Sequence, residues 1–374
     1  MEKQKILIVS RSFYPTNSPR SFRTTELAKG FSKLGHDVTV LTPKNETYHS
    51  DFEKQYGITI KDMGMQKWKP IEIKGSGLFL YARKALKRIL NLLFLYPEIE
   101  LMGIVRKALA KERDYNYDML ISIAVPFSVH FGVAKARIAT HPMATSWIAD
   151  CGDPFMGKEN DTFRYPFFYK YVEKWFCRKA DYLSVPTEGS VNAYYPEFRS
   201  KIKVIPQGLD FDDYRINNNE PMNDVPTFAY AGGFIPGRRD PTEFLTYICS
   251  LEIDFRFHIY TRYSNYLITK FVEKGKGRVI LHDYVSRPEL LRTLSEMDFV
   301  VNFENIGEKQ TPSKLIDYAL TKRPILSIKT GALATKTINE FLKGNYHNQH
   351  KVENVDQYRI ENVCQQFLAL NSYD

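Results

Sequence analysis

Two rhythms alternate along this chain. Short unbroken apolar runs read as strands buried on both faces, and stretches with apolar residues three or four apart read as amphipathic helices between them. The run Lys5-Ile6-Leu7-Ile8-Val9-Ser10 leads to a helical stretch over residues 22–34 that Gly35-His36 ends, and Asp37-Val38-Thr39-Val40-Leu41-Thr42 is the next strand. This βαβ opening predicts a doubly wound parallel sheet, whose ligands sit at the carboxyl ends of the strands. Residues 49–76 show neither rhythm and read as irregular. Helices are then expected over residues 78–95 and 99–111, strands over 117–124 and 144–149, an aromatic-rich helix over 164–179, and strands over 181–186 and 202–206. The polar stretch 212–224, with three asparagines at 217–219, is the best linker. Domains are therefore expected at 1–207 and 208–374, the last helix packing back on the first. Strands at 227–231, 255–260, 279–281 and 298–303 make the second half another α/β unit, and no repeat of solenoid length is visible.

Composition changes this picture little, and charge changes it more. At 374 residues, 43% hydrophobic and 25% charged, the chain has enough material for two cores. Cys151, Cys177, Cys249 and Cys364 stand far apart without metal-ligand spacing, so neither a disulfide framework nor a zinc site is expected and the compartment reads as reducing. The apolar run near Met1 is too short for a signal peptide and no later stretch approaches a membrane span, so a soluble or peripheral protein is expected. A formal charge of +9 and a pI near 9.1 call for an anionic partner: nucleic acid, a membrane surface or phosphorylated small molecules. The basic residues are scattered over helices without groove-reading or base-stacking spacing, which argues against nucleic acid.

Candidate chemistry concentrates in Gln310-Thr311-Pro312-Ser313-Lys314-Leu315-Ile316-Asp317-Tyr318-Ala319-Leu320, which reads as a loop entering a helix, with a strand following at Ile325. The helix start would aim unpaired N–H groups at an anion, Lys314 adds a cation beside them, and the Asp317 carboxylate can accept from two vicinal hydroxyls. Phosphate and ribose are the natural guests. Upstream, the strand at 227–231 runs into Gly232-Gly233-Phe234-Ile235-Pro236-Gly237-Arg238-Arg239-Asp240. Its glycines let a phosphate approach the backbone, and Arg238 and Arg239 offer charge-assisted contacts.

In the first half, the loop at 11–21 and the helix after it carry Arg11, Arg20 and Arg23 at a strand end, but no Gly-x-Gly-x-x-Gly, which disfavours a nicotinamide enzyme. His130 follows another strand-end turn, and Asp150 and Asp153 occupy the Gly/Pro turn after the strand at 144–149. In the helix at 78–95, Phe79, Leu86, Ile89, Leu90 and Leu93 share one side and Arg83, Lys84, Lys87 and Arg88 the other. That reads either as a patch for anionic lipid headgroups or as a helix packed on the sheet with a solvated cationic face.

Taken in order, Phe13-Tyr14-Pro15, Arg23-Thr24-Thr25-Glu26-Leu27-Ala28, Gly35-His36-Asp37-Val38, Val204-Ile205-Pro206-Gln207-Gly208-Leu209-Asp210, Tyr230-Ala231-Gly232-Gly233 and Pro312-Ser313-Lys314-Leu315-Ile316-Asp317-Tyr318 span nearly the whole chain. Together they resemble the retaining, metal-independent glycosyltransferases of family four. The resemblance implies an α/β fold of the GT-B type, two Rossmann-like doubly wound domains facing a central cleft. It implies transfer from a nucleotide-diphosphate sugar, a co-substrate, with no cofactor and no catalytic metal. The acceptor is expected to be a lipid-linked glycan of bacterial surface polysaccharide, lipopolysaccharide or capsule, met at an anionic membrane surface on the cytoplasmic side.

Residue by residue, the resemblance puts Gly232 and Gly233 at the diphosphate, with Arg238, Arg239 and Lys314 neutralising it. Asp317 takes the second acidic position of the Glu-x7-Glu pattern, at the ribose. The first acidic position is Lys309, with Glu308 adjacent, and Glu308, His130 and Asp153 are assigned to catalysis. Arg20, Arg23 and Asp150 are assigned to the acceptor, although the usual Gly pair of the first loop is replaced by Asn17-Ser18-Pro19. The competing expectation is a sugar-nucleotide-binding or membrane-adaptor protein without catalysis.

Overall fold

The computed structural model describes residues 2–371 except 75, 139–141, 158–163, 215, 218, 220, 262–265 and 305–312. It divides into two compact units, Met1–Leu209 with Tyr358–Asp374, and Asp210–Gln357.

The first unit follows the order β1 (Lys5–Ser10), α1 (Pro19–Lys33), β2 (Asp37–Thr42), α2 (Glu46–Tyr56), β3 (Thr59–Asp62), α3 (Gly77–Phe94) and α4 (Glu100–Ala110). It continues with β4 (Tyr117–Ala124), α5 (Ser128–Ala136), β5 (Ala144–Cys151), α6 (Tyr169–Lys179), β6 (Tyr182–Val185), α7 (Glu188–Val191) and β7 (Ile202–Val204). Among the described residues these strands form one parallel sheet in the order β3-β2-β1-β4-β5-β6-β7. Both faces are covered, as the unbroken apolar runs require. Leu7 and Val9 of β1 point to the side of Leu101, Phe131 and Phe176 from α4, α5 and α6, whereas Ile6 and Ile8 point to the side of Leu27 and Phe31 from α1.

The second unit has β8 (Thr227–Ala231), α8 (Thr242–Ser250), β9 (Arg256–Tyr260), α9 (Tyr266–Lys274), β10 (Val279–His282) and α10 (Arg287–Leu294). Then come β11 (Phe299–Phe303), α11 (Ser313–Leu320), β12 (Ile325–Ile328) and α12 (Thr335–Leu342). Its described strands form a parallel sheet in the order β10-β9-β8-β11-β12. Both units are thus Rossmann-like, the fold class expected from the alternation of strand and helix. The chain then returns to the first unit. The Leu209 N–H donates to the Tyr358 carbonyl (2.9 Å) and α13 (Ile360–Ala369) lies on α1. The approach is close enough to demand Gly30, because a Cβ there would stand 2.6 Å from Ile360 Cγ1 and 2.7 Å from Cys364 Sγ.

Two local features depart from the sequence pattern. Residues 49–76, read as irregular, include most of α2 and all of β3. The α2 helix is set by its ends: the Asn45 side chain accepts from the Thr47 N–H (3.0 Å), and Gly57 closes it in the left-handed region at φ 64°. Only His49 and Phe52 are buried on it, too narrow an apolar stripe to register as a period. The second feature is α3, which has no buried residue. Leu78 is 85% and Phe79 80% exposed, and Leu86, Ile89 and Leu93 are exposed as well. The apolar side is therefore not packed on the sheet.

Candidate functional site

In the second unit the site grows from the end of β8. Ala231 hands over to Gly232 at φ 142°, and the Gly232 N–H donates to the Tyr260 carbonyl at the end of β9 (2.8 Å). The Lys314 ammonium, from the first turn of α11, occupies the space that a Cβ at 232 would need, so a side chain there would push the lysine aside. Tyr318 docks α11 there, its hydroxyl accepting from the Ala231 N–H (3.0 Å). Lys314 Nζ donates to the Tyr230 hydroxyl (3.2 Å) and lies 4.7 Å from that ring's centroid, while the hydroxyl donates to the Gly233 carbonyl (3.0 Å). Burial first, and then the neighbouring Arg239, push the Lys314 ammonium down to about 7, against the opposing pull of Asp317.

Arg239 adds a second cation, and its Nε is buried without a hydrogen-bond partner among the described residues. The loop between is braced by the Ile235 N–H on the Arg239 carbonyl (3.1 Å) and by the Gly237 N–H on Asp240 Oδ2 (3.1 Å), and Arg238 projects into solvent. Asp317 is already engaged: Arg287 Nε donates to its Oδ1 (3.0 Å), and Nη2 donates to the same oxygen. Burial raises the Asp317 carboxyl while Arg287 pulls it back. With that carboxylate paired, Lys314 and Arg239 leave the glycine turn with an excess of positive charge, the electrostatics that suit an anion. Tyr230 and Arg287 were not foreseen. Tyr230 stands in the Tyr-Ala-Gly-Gly segment and could have been read as a wall of the turn, but Arg287 is thirty residues from Asp317 and meets it only through the packing of α10 on α11. Glu308 and Lys309 lie outside the described residues.

The first unit sorts its expected site residues into two kinds. Arg23 and Asp150 were expected at the acceptor, but both are buried and spend their polar atoms on each other. Arg23 Nε donates to Asp150 Oδ2 (3.1 Å) and Nη2 to Oδ1 (2.9 Å). Arg23 also donates to the carbonyls of Ile205 and Pro206, and the Ser184 hydroxyl donates to Asp150 Oδ1 (2.6 Å). Burial opposes the Asp150 charge, yet Arg23 and Ser184 outweigh it and hold the carboxyl below its ordinary value. The pair is a brace between α1, β5, β6 and the chain after β7, with no surface left for a substrate.

His130, expected in catalysis, is likewise core. It is fully buried between Phe127 and Phe176, with Nδ1 2.8 Å from the Ser122 hydroxyl and Nε2 3.6 Å from Cys151 Sγ. Trp147 Nε1 donates to the same hydroxyl (2.8 Å), which leaves Ser122 free to donate to Nδ1. Burial pushes the His130 imidazole down to about 3, so it stays neutral at working pH. Arg20 and Asp153 remain accessible, paired at 3.2 Å with side chains 20% and 41% exposed. The Arg20 guanidinium lies over Gly152, where any side chain would collide with it. The sequence Asp210-Phe211-Asp212, an Asp-x-Asp, is a local turn in which Asp210 Oδ1 accepts from the Asp212 N–H (3.1 Å).

No helix among the described residues is long and apolar enough to cross a membrane. No family model matches the chain, and no curated protein matches it. Solved structures do. The chain is similar over 99% of its length to 98% of a glycosyltransferase from Rickettsia africae ESF-5, with a TM-score of 0.65 at 11% identity. It is similar over 99% to the whole (100%) of a TarM variant from S. aureus in complex with UDP and alpha-GlcNAc-glycerol, with a TM-score of 0.58 at 12% identity. The lipopolysaccharide outer core galactosyltransferase WaaB gives a TM-score of 0.53 at 11% identity, over 98% of both chains. What this chain shares with these glycosyltransferases is therefore the fold, a pair of Rossmann-like parallel α/β units along its whole length.

Proposed function

We propose that this protein is a glycosyltransferase that moves a sugar from a nucleotide-diphosphate sugar to a lipid-linked glycan acceptor in bacterial surface-polysaccharide assembly. The observation that carries the reading is the convergence of Lys314 and Arg239 on the Gly232-Gly233 turn, where a diphosphate would meet backbone and two cations at once. The TarM variant of like fold is bound to UDP, and WaaB is a lipopolysaccharide galactosyltransferase, which supports the same substrate class here. In the mechanism, the protein's residues stabilise the departing diphosphate. Lys314 and Arg239 take up the charge that grows as the glycosidic bond breaks, and the leaving diphosphate helps to deprotonate the acceptor on the same face, so configuration is retained. No protein nucleophile and no metal are required for that step. Arg20, expected at the acceptor, and Asp153, expected in catalysis, are the accessible pair, and they would orient the acceptor's hydroxyls.

The α3 helix, which buries no residue fully, is apolar on one side and carries Arg83, Lys84, Lys87 and Arg88 on the other, and this suits a helix lying in an anionic membrane interface. The enzyme would then work at the cytoplasmic face of the plasma membrane. A binding protein without transfer is the second reading, favoured by Lys309 at the first acidic position and by the Arg287 pairing of Asp317. A transfer assay with radiolabelled UDP- and GDP-sugars on extracted membrane lipids tests the proposal. Label in the lipid fraction supports it, and nucleotide binding with no transfer or hydrolysis from any donor would replace it with the second reading.

A further inference from the structure

A cavity of about 450 Å³ opens in the first unit where the end of α3 meets α4, α5 and α6. Its walls are Leu95, which caps α3, with Ile99, Met102, Phe131, Val172 and Trp175. Lys135 lines it too, exposed and without an anionic partner among the described residues. The volume falls in the range of ligand-binding pockets, about 300–1,000 Å³. Tyr169 and Tyr171 line it as well, but the Tyr169 hydroxyl is spent on a backbone carbonyl, and walls this largely apolar return few of the hydrogen bonds that a sugar would lose with its hydration. The lysine, in turn, offers nothing to a purely apolar guest. A hydrocarbon chain that ends in an anionic group satisfies both.

The surroundings say where such a chain would come from. The Tyr169 hydroxyl donates to the Leu93 carbonyl (2.9 Å), which ties α6 to the last turn of α3, where Leu93 and Phe94 are exposed beside the cavity-lining Leu95. Just before and within α6, Phe167 and Tyr171 are exposed, and Lys170 Nζ stands 4.9 Å from the Tyr171 ring. Exposed aromatics beside basic residues are the composition of a membrane interface. We infer that the cavity takes one acyl chain of an anionic bilayer lipid, with Lys135 at the headgroup phosphate, while α3 lies along the same surface. The inference rests on the membrane-docked reading above and adds to it a single-lipid clamp.

Photo-crosslinking tests it with the full chain. Vesicles of phosphatidylcholine and phosphatidylglycerol, the latter with a diazirine in one acyl chain, are irradiated with the protein, and adducts are mapped by mass spectrometry. Adducts on Met102, Phe131, Val172 or Trp175 are expected, lost in Val172→Trp, which fills the cavity, while that variant still sediments with vesicles. Met102→Trp from the opposite wall serves if Val172→Trp unfolds, and Lys135→Gln is expected to abolish the preference of the pocket adducts for phosphatidylglycerol over a diazirine phosphatidylcholine. Vesicle binding with adducts confined to the exposed side of α3 would overturn the clamp and leave membrane docking standing. Absence of vesicle binding would overturn both. A lipid-free dimer that Val172→Trp abolishes would assign the cavity to a second copy of the chain instead.

Discussion

Lys314 occupies the space over Gly232 that any side chain at that position would need, although the two residues are 82 apart in the chain. Glycine at 232 is required by φ 142°, and any side chain there would also displace the ammonium above it. Gly232→Ala should lower thermal stability by about 1–3 kcal/mol through backbone strain alone and displace Lys314, removing nucleotide-diphosphate affinity. Gly233→Ala, whose Cβ would meet nothing within 4 Å, should unfold at the wild-type temperature. Thermal unfolding of both variants checks the contrast, and equal losses in the two would contradict it.

Diphosphate binding should take up a proton near pH 8. In the free protein Lys314 is held down to about 7, so above that pH it is largely neutral. A bound dianion raises it again. Apparent affinity therefore falls as pH rises from about 7 towards the value in the complex, by at most about tenfold per pH unit. Titration at pH 8 in two buffers of different ionisation enthalpy measures the uptake directly. Wild type should show it and Lys314→Met should not.

The Arg23–Asp150 brace should matter to stability, not to acceptor affinity. Asp150→Asn leaves Arg23 a buried charge without its partner, at a cost of about 3–5 kcal/mol. The wild-type carboxyl is depressed, so its contribution is present above its unfolded value and is lost as pH falls through the folded one. Wild type should accordingly lose stability in acid more steeply than Asp150→Asn. Urea unfolding between neutral and acid pH reads this, and parallel curves would count against it.

Glu173 should behave in the opposite sense. It is fully buried, its Oε2 has no partner among the described residues, and burial pushes its carboxyl up to about 7. A raised carboxyl leaves stability complete below the unfolded value and lost as pH rises through about 7, up to about 3 kcal/mol. Glu173→Gln should therefore stabilise the protein at pH 8 and leave it nearly unchanged at about pH 4, below the ordinary carboxyl value. A melting temperature raised equally at both would refute this.

The sequence was most legible where burial is two-sided. Runs such as Ile6–Val9 and Met119–Ile121 are apolar throughout because helices cover both faces of the sheet, and that pattern survives in one dimension. The edge strand β3 buries only Ile60 and so left no signal. The glycine turn, Lys314 and the arginines stand out in the sequence because each lies next to a strand end or a helix start. Asp150, Arg23 and His130 stand at such ends too, and nothing local separates a charge that meets a ligand from one that meets a partner 127 residues away. Burial decides between them, and burial is tertiary.

Calorimetric titration of purified wild type and Lys314→Ala with UDP and with GDP tests the central claim most directly. Loss of a charge-assisted contact of about 1.5–3 kcal/mol predicts that one diphosphate binds wild type and binds the variant at least about tenfold more weakly, with the variant's melting temperature retained. Equal affinity of both proteins, or no binding of either nucleotide to wild type, would contradict the assignment of the Gly232 turn as the donor site.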